Sequence, residues 1–383
     1  MVETRTPHKV SIVKVKSFDS KSVREATRRA VDLLGGMSSI ATRHGLVVLK
    51  PNFCHPMSSS SGATTSLDLL EELIVETLDL DSRPVIVESS GIEYNTSSVF
   101  RILGVDRLAK KYGVEVLDAE NLERTKVDLP NGILFDEIYL PKIVLQADSI
   151  VNIPKIKTHV LTTVTLALKN LMGLLLPADR KKLHFYNLEV GLLDVYQALK
   201  SMACVADGLV VMEGNGPAYG GKLPLGIVVA GDNLIATDRV CCRIMGIDAS
   251  EIEYLKKAEE GEDEIAIRVE GDFSASFQRP SVSRLYRWYY GRILYGIDIA
   301  LSTLTHQRTF LPYIFSHFGT RPKIVESNCS RCKACERVCP VGAIVGTHID
   351  RIKCVRCFRC YEICPENAIS AKGITKPLSK ARV

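Results

Sequence analysis

Short apolar segments alternate with helical patterns along the first 280 residues of the chain. The apolar segments have the length of buried strands, and they predict strands at Val10–Val15, Leu46–Leu49, Val85–Val87, Val114–Leu117, Ile150–Ile153, Leu209–Met212, Ile227–Ala230 and Ile265–Val269. Between them, helical spacing of apolar residues predicts helices at Ser22–Leu34, Leu67–Leu78, Thr162–Leu171, Leu188–Met202 and Asp238–Met245. Ser66 and Thr237 directly precede two of these helices and are the expected N-caps. Because buried strands alternate with helices, we expect an α/β fold, with a mostly parallel sheet and helices on both faces.

Two further segments lie outside this alternation. The stretch Thr125–Leu140 predicts an inserted pair of strands with a turn at Pro130-Asn131-Gly132. Residues 279–322 are rich in aromatic and basic residues and predict a helical connector, which we expect to pack a small C-terminal module onto the main domain. A membrane-surface helix is the alternative for this connector. Nothing else in the chain supports nucleic-acid binding, so we do not predict it.

Composition indicates a folded chain with an uneven charge distribution. Its 383 residues are 46% hydrophobic and 24% charged, which suits one large domain and a small one. No run of about 18 uncharged apolar residues occurs, because the longest candidate, Leu161–Leu176, contains Lys169. The first ten residues lack the apolar core of a secretory signal, so we expect a cytoplasmic protein. Residues 1–280 carry a net charge of −6 and residues 281–383 carry +11, which suits an acidic partner or negative charge bound nearby.

Eight of the twelve cysteines lie within 36 residues near the C-terminus. They form two runs with the same spacing and a proline after the last cysteine of each: Cys329, Cys332, Cys335 and Cys339, then Cys354, Cys357, Cys360 and Cys364. Equivalent cysteines are 25 residues apart, so the segment is an internal repeat. Three thiolates on one tight loop suit three iron corners of a cubane cluster, and the fourth iron needs a thiolate from elsewhere. The alternatives are zinc, which usually takes paired cysteine knuckles, and disulfides, which suit secreted chains.

On these two runs, residues 323–372 resemble a bacterial two-cluster ferredoxin module. The resemblance implies a small α+β module with two 4Fe–4S clusters, in which the last cysteine of each run serves the other cluster. The first cluster would be held by Cys329, Cys332, Cys335 and Cys364, and the second by Cys354, Cys357, Cys360 and Cys339. Such clusters are often sensitive to oxygen, so an anaerobic setting is expected. The implied partner is a low-potential electron carrier or another redox protein.

Polar residues follow several predicted strands, and ligands of open α/β sheets bind beyond the carboxyl ends of strands. Lys155, Lys157 and His159 follow Ile150–Ile153 and point to the same side if they alternate with period two. This face suits an anionic small molecule, with His159 as acid or base, and the alternative is a solvated basic edge. Lys169 interrupts an apolar run, where a lysine needs a partner or a ligand. We therefore predict Lys155, Lys157, His159 and Lys169 as catalytic residues.

A glycine-rich loop and two asparagines complete the predicted site. Closely spaced glycines let backbone N–H groups approach an anion. We expect these residues to bind substrate: Asn52, Asn170, Glu213, Gly214, Asn215 and Gly216. A metal held by His159 and His184 with Glu88, Glu213 or Asp232 is the weaker alternative, because no characteristic ligand spacing supports it. Cys54 lies near Asn52, but scattered cysteines are mostly small core residues.

The first domain resembles the family catalogued as domain of unknown function 362. The resemblance rests on Lys50-Pro51-Asn52, Val151–His159, Leu168–Gly173, His184, Asp207-Gly208, Glu213–Pro217 and Ala236-Thr237-Asp238. It implies an α/β domain, often joined to a ferredoxin module, and the location of a site, but no reaction. We divide the chain into the α/β domain (1–278), the connector (279–322), the ferredoxin module (323–372) and a tail (373–383).

Three functions fit these features. The first is an iron–sulfur oxidoreductase of unknown substrate, whose two clusters relay electrons between an external carrier and an anion-binding site in the α/β domain. It would need a further, unknown cofactor in that domain, since no motif for NAD, flavin or a P-loop is found. The second is a non-enzymatic electron-transfer adaptor whose α/β domain docks a partner, and the third is a redox sensor. A polar pocket near Lys155 and Glu213, close to a cluster, would favour the enzyme.

Overall fold

The large domain is built on a single mixed sheet. The computed structural model describes residues 7–258, 264–273, 275–281, 284–305 and 320–371, without the side chains of 284–291. Within these residues the sheet contains ten strands: β1 His8–Lys14, β2 Leu46–Pro51, β3 Arg83–Glu88, β4 Glu115–Asp118, β7 Ser149–Ile153, β8 Lys155–His159, β9 Thr163–Thr165, β10 Met202–Glu213, β11 Gly221–Gly231 and β12 Ile265–Glu270. A separate antiparallel pair, β5 Arg124–Asp128 and β6 Glu137–Pro141, confirms the inserted hairpin.

The sheet is mostly parallel, as predicted. Its strands follow the order β12-β1-β11-β10-β7-β2-β3-β4, with β8 beside β10 and β9 beside β8. The pairs of β11 with β1 and β10, and of β8 with β9, are antiparallel, and the others are parallel. The carboxyl ends of β2, β3 and β7 therefore meet at one edge, where Asn52, Glu88 and Pro154 follow or end the strands.

Helices cover both faces of this sheet. The large domain and the connector contain α1 Ser20–Asp32, α2 Leu67–Leu78, α3 Thr96–Leu103, α4 Val105–Tyr112, α5 Lys142–Leu145, α6 Ala167–Asn170, α7 Pro177–Phe185, α8 Leu188–Gln197, α9 Leu234–Met245, α10 Glu253–Lys257 and α11 Arg284–Thr305. Side chains of β2 alternate between two cores: Val48 packs with α8 and α9, whereas Val47 and Leu49 pack with α1 and α2. This alternation follows from the period of two along a strand, and it confirms the α/β fold class.

The predicted helix Thr162–Leu171 is wrong. Residues Thr163–Thr165 form β9, which pairs with β8, and only Ala167–Asn170 is α-helical before a short 3-10 turn. The physical reason is a run of β-branched residues at 162–165, which favour an extended backbone over a helix.

Two helix ends also differ from the predictions. Helix α8 ends at Gln197 rather than Met202, because Met202 begins β10. Helix α9 begins at Leu234, and Asn233 is its N-cap, with its side chain accepting a hydrogen bond from the backbone N–H of Ala236 at 2.9 Å. Ser66 does precede α2, although its side chain makes no capping hydrogen bond.

The C-terminal module is a small α+β unit. It contains β13 Pro322–Ile324, α12 Ala334–Val338, β14 Ile344–Val345, β15 His348–Ile349, α13 Arg359–Ile363 and β16 Ile369–Ala371. Strand β13 pairs with β16, and β14 pairs with β15, both antiparallel. The predicted tail lies outside the described residues.

The connector helix α11 packs on the large domain. The Lys181 Nζ lies 2.7 Å from a carboxylate oxygen of Asp298, with both side chains buried, and the Tyr295 ring stacks on His184 with centroids 4.3 Å apart. The C-terminal module also contacts the large domain directly, through Arg359 and Glu362. The described part of the connector therefore does not hold the module away from the large domain. In the part of the chain that the structure covers, no helix is both long and apolar enough to cross a membrane.

Candidate functional site

Strand β8 carries the predicted basic residues into the interior. Lys155 and Lys157 are fully buried and His159 is 7% exposed, so the alternative of a solvated basic edge is wrong. Lys155 Nζ lies 2.9 Å from a carboxylate oxygen of Asp207, which is also fully buried. The same carboxylate accepts hydrogen bonds from the backbone N–H groups of Ser66 and Leu209. Because Asp207 neutralises Lys155, this lysine holds strands β8 and β10 together and is a poor candidate for binding substrate.

Lys157 lies at the centre of a polar network. Its Nζ donates to the carbonyl oxygen of Ala63 at 2.5 Å and to Asn52 Oδ1 at 3.0 Å, and it lies 3.3 Å from the Cys54 Sγ. The Asn52 amide donates to Asn170 Oδ1 at 2.8 Å. The structure therefore brings together Lys157 and both asparagines that the sequence predicted, and it adds Cys54, whose position only the short spacing from Asn52 indicated.

Lys169 resembles Lys157 in having no carboxylate partner among the described residues, but its amine, unlike that of Lys157, donates to no oxygen there. Its side chain is 9% exposed, and its Nζ contacts the thioether sulfur of Met172 at 2.8 Å. Burial lowers its pKa to about 7; Cys54 opposes this shift, and the positive charges of Lys157 and Arg180 add to it. An uncompensated amine at this depth favours an anionic ligand, which would supply the missing negative charge.

Two neutral histidines lie near Lys169. His159 Nδ1 accepts hydrogen bonds from the backbone N–H groups of Leu161 and Thr162, at 3.0 and 3.3 Å, which leaves the proton on Nε2. Burial lowers the pKa of His159 well below its usual value, with a further contribution from Lys169. His184 Nδ1 donates to the Arg180 carbonyl at 2.7 Å, and burial lowers its pKa to about 3. His159 is therefore held as a neutral hydrogen-bond donor, whereas the sequence suggested an acid or base.

A second buried ion pair supports the floor of the site. The Lys50 ammonium donates to the Glu88 carboxylate, which also accepts from the Phe53 N–H at 3.2 Å. A side chain at Gly173 would lie 2.3 Å from Glu88, so only glycine fits there. These contacts fix the start of the loop that carries Cys54. The sequence analysis named Lys50 in the family resemblance and Glu88 as a possible metal ligand, but it did not pair the two.

The predicted substrate-binding loop has a different role. Glu213 accepts a hydrogen bond from the Gln278 N–H at 2.8 Å, and Asn215 Oδ1 accepts from the Ser281 N–H at 3.0 Å. Gly214 has a φ of +69°, and a side chain at Gly216 would lie 2.0 Å from the Thr158 carbonyl oxygen. The loop thus contacts β8 and anchors the start of the connector, and substrate binding by its residues stays a prediction. The described residues also contain no group of three metal-ligating side chains at His159 and His184.

The eight clustered cysteines surround two separate cavities. Cys329, Cys332, Cys335 and Cys364 line a cavity of about 250 Å³, and Cys339, Cys354, Cys357 and Cys360 line one of about 20 Å³. Equivalent positions of the two loops share left-handed backbone angles, at Arg331 and Lys333 and at Arg356 and Phe358. The Sγ atoms of Cys339 and Cys364 each accept a backbone N–H at 3.2 Å. Cysteine thiols and N–H···S contacts are what iron–sulfur clusters use, and four cysteines line each cavity, but among the described residues no three metal-ligating side chains already converge as a metal site.

The second cysteine run lies directly on the large domain. Phe358 and Cys360 belong to one apolar cluster with Met57 and Ala63, and Lys222 Nζ lies 2.7 Å from a Glu362 carboxylate oxygen. Arg359 donates to the carbonyl oxygen of Ile102 at 2.5 Å. Ala63 links the two regions, because its carbonyl accepts from Lys157 and the residue belongs to the apolar cluster that contains Phe358 and Cys360.

Comparison with known proteins assigns the chain to a family. Residues 47–243, just over half of the chain, match the family model described as a domain of unknown function (DUF362). The chain belongs to this family. Residues 322–345 of the DUF362 chain match the 4Fe-4S binding domain, which makes it an iron–sulfur electron-transfer protein.

Two individual proteins are similar to parts of the chain. The DUF362 chain is 24% identical over 259 residues to a thylakoid-associated protein from Synechocystis sp., a match that covers 65% of this chain and 78% of the relative. It also aligns with the lactate racemase apoprotein from Thermoanaerobacterium thermosaccharolyticum at a TM-score of 0.37 and 15% identity. That alignment covers 63% of this chain and 57% of the racemase, so the chain spans little more than half of that enzyme.

Proposed function

We propose that the chain is an iron–sulfur oxidoreductase that binds two 4Fe–4S clusters and exchanges electrons between an external carrier and a small anion in the α/β domain. The proposed ligands are Cys329, Cys332, Cys335 and Cys364 for the first cluster and Cys354, Cys357, Cys360 and Cys339 for the second. The distribution of these cysteines over two cavities supports this assignment. When bound, the clusters supply one-electron transfer. A cytoplasmic location and a low-potential carrier protein are part of the same proposal.

The observation that carries this proposal is the loop shared by module and site. Residues 52–63 contribute Asn52, Cys54 and the Ala63 carbonyl to Lys157, and Ala63 belongs to the same apolar cluster as Phe358 and Cys360. A cysteine of the second run and a residue of the lysine network therefore share one cluster. This shared cluster supports electron exchange with a ligand bound at the network.

The chain's own residues would bind and orient the anion. Lys169 would supply the uncompensated positive charge, and the Nε2–H of His159 would donate a hydrogen bond to it. Lys157, Asn52 and Asn170 would fix the wall of the site through their hydrogen bonds to one another. Lys169, whose pKa is lowered to about 7, would hold or release a proton near neutral pH.

Anion binding to anaerobically purified, cluster-loaded protein tests the proposal. Small carboxylates and phosphate are titrated into the wild type and Lys169→Met, with the exposed Lys182→Met as the matched control. We expect Lys169→Met to weaken binding about tenfold or more at unchanged iron content, since it removes a charge-assisted contact. Equal affinity of Lys169→Met and wild type for every anion, or no binding by either, would reject the buried site as the place of reaction.

A further inference from the structure

A second concave surface lies where the ferredoxin module meets the large domain. It is a cleft of about 820 Å³ between the first turns of α3 and the segment Arg351–Arg356. Cys354, a proposed ligand of the second cluster, lies in its wall, and Pro56 of the Cys54 loop borders it on the other side. Its volume falls within the usual range for small-molecule sites, which is about 300–1,000 Å³.

The charge of this cleft is strongly positive. Three guanidinium groups, those of Arg321, Arg351 and Arg356, face a single carboxylate, Glu93. Neither Arg321 nor Arg351 forms an ion pair with a carboxylate among the described residues, although Arg321 donates to the Arg351 carbonyl at 2.7 Å. Guanidinium groups bind phosphate through two parallel hydrogen bonds, so the cleft suits a phosphorylated ligand better than a cation or a neutral molecule.

The rest of the lining is apolar and aromatic. Val99 and Ile102 come from α3, Ile352 comes from the module with 97% of its surface exposed, and Tyr94 adds a ring. The Arg356 guanidinium lies 5.4 Å from the Tyr94 ring centroid, which fixes this ring at the domain junction. An apolar, aromatic wall beside guanidinium groups fits a flat ring system that carries a phosphate.

The cleft also adjoins the lysine network. The Tyr94 ring meets the His55 ring edge to face at 5.3 Å. His55 is 8% exposed, its Nδ1 has no hydrogen-bond partner in the described part of the chain, and it interacts electrostatically with both Lys157 and Arg356. A ligand in the cleft would thus lie between Cys354 and the pair formed by Tyr94 and His55, and His55 directly follows Cys54 in the chain.

We propose that this cleft binds a phosphorylated aromatic redox cofactor of the flavin mononucleotide class. The phosphate would contact Arg321 and Arg351, and the ring system would lie against Tyr94, Ile102 and Ile352. This site is separate from the anion site at Lys169, so it stands or falls independently of the proposed reaction. The sequence did not predict this ligand, because the chain lacks the glycine-rich motifs that bind nucleotides.

Titration of the cluster-loaded chain with flavin mononucleotide, with riboflavin as the unphosphorylated comparison, tests the proposal. Flavin fluorescence is followed for the wild type, Arg321→Ala, Arg351→Ala and the control Arg101→Ala, an exposed arginine of α3 outside the cleft. We expect the nucleotide to bind about tenfold or more tightly than riboflavin, and each cleft variant to lose much of that preference while Arg101→Ala keeps it.

Several results would overturn the cleft site. No saturable nucleotide binding, equal affinity for riboflavin, or unchanged affinity in both cleft variants would each do so. Variants that bind the nucleotide normally but lose reduction by an acidic carrier protein would instead make this face a protein-docking surface. Iron content, measured on every variant, shows that the module remains folded.

Discussion

At the scale of single residues, burial separates the lysines of the site into two kinds. Lys50 and Lys155 each lie against a buried carboxylate, whereas the Lys169 amine, within the part of the chain that the structure describes, contacts only a thioether. Removing one partner of a buried ion pair costs about 3–5 kcal/mol, so Lys155 is tied to folding, while Lys169 is free to respond to a ligand. The sequence predicted both Lys155 and Lys169 as catalytic residues and did not distinguish them. It could not identify Asp207 and Glu88 as the partners, because those contacts depend on how distant strands are paired.

The pKa of Lys169 predicts a pH dependence for anion binding. Burial lowers this pKa to about 7, and an anion binds the charged ammonium form. The affinity for sulfate or acetate, measured in phosphate-free buffer, should therefore be highest below pH 7. It should fall as the pH rises above 7, because the Lys169 amine loses its proton. In Lys169→Met the affinity should be low and nearly constant across the same range, while Lys182→Met should follow the wild-type profile. An unchanged profile in Lys169→Met would show that another group titrates.

At the scale of elements, apolar patterns identified most strands. They failed where β-branched residues or polar residues within a strand changed the expected pattern. The predicted helix Thr162–Leu171 begins with a run of β-branched residues, and Thr163–Thr165 of this run form β9, which pairs with β8. Strands β10 and β11 begin several residues before the apolar segments that predicted them. Asp207 and Gly208 in β10, and Lys222 and Pro224 in β11, interrupt the apolar pattern but are still paired in the sheet. The glycine-rich loop was expected at the site because of its composition. Its side chains bind Gln278 and Ser281 instead, and no local pattern could have shown this.

The connector helix α11 supplies a prediction at this scale. Its buried contact with α7 is the ion pair of Lys181 with Asp298, supported by the stacking of Tyr295 on His184. Asp298→Ala should leave a buried charge unpaired and loosen α11, so that protease cleavage within 284–305 becomes several-fold faster. Thr303→Ala, on an exposed position of the same helix, should cleave at the wild-type rate. Equal cleavage of Asp298→Ala and wild type would show that other contacts hold the helix.

At the scale of the whole molecule, the account depends on two clusters and on the contact of the second cysteine run with the large domain. The cysteine repeat predicted the module from spacing alone, because ligand geometry constrains the sequence directly. The sequence did not show where the module sits, since Met57, Ala63 and Met212 are ordinary apolar residues until the fold places them beside Phe358. The same contact creates the cleft at Tyr94 and Arg351.

The measurement that tests the central claim most directly is an iron and sulfide count with electron paramagnetic resonance spectra, on anaerobic protein reduced with dithionite. The account predicts about eight irons and eight sulfides per wild-type chain, with two interacting clusters. Cys339→Ala should retain the cluster held by Cys329, Cys332, Cys335 and Cys364 and lose or damage the other. Zinc in place of iron, or damage in Cys339→Ala confined to the cluster of its own run, would contradict the account.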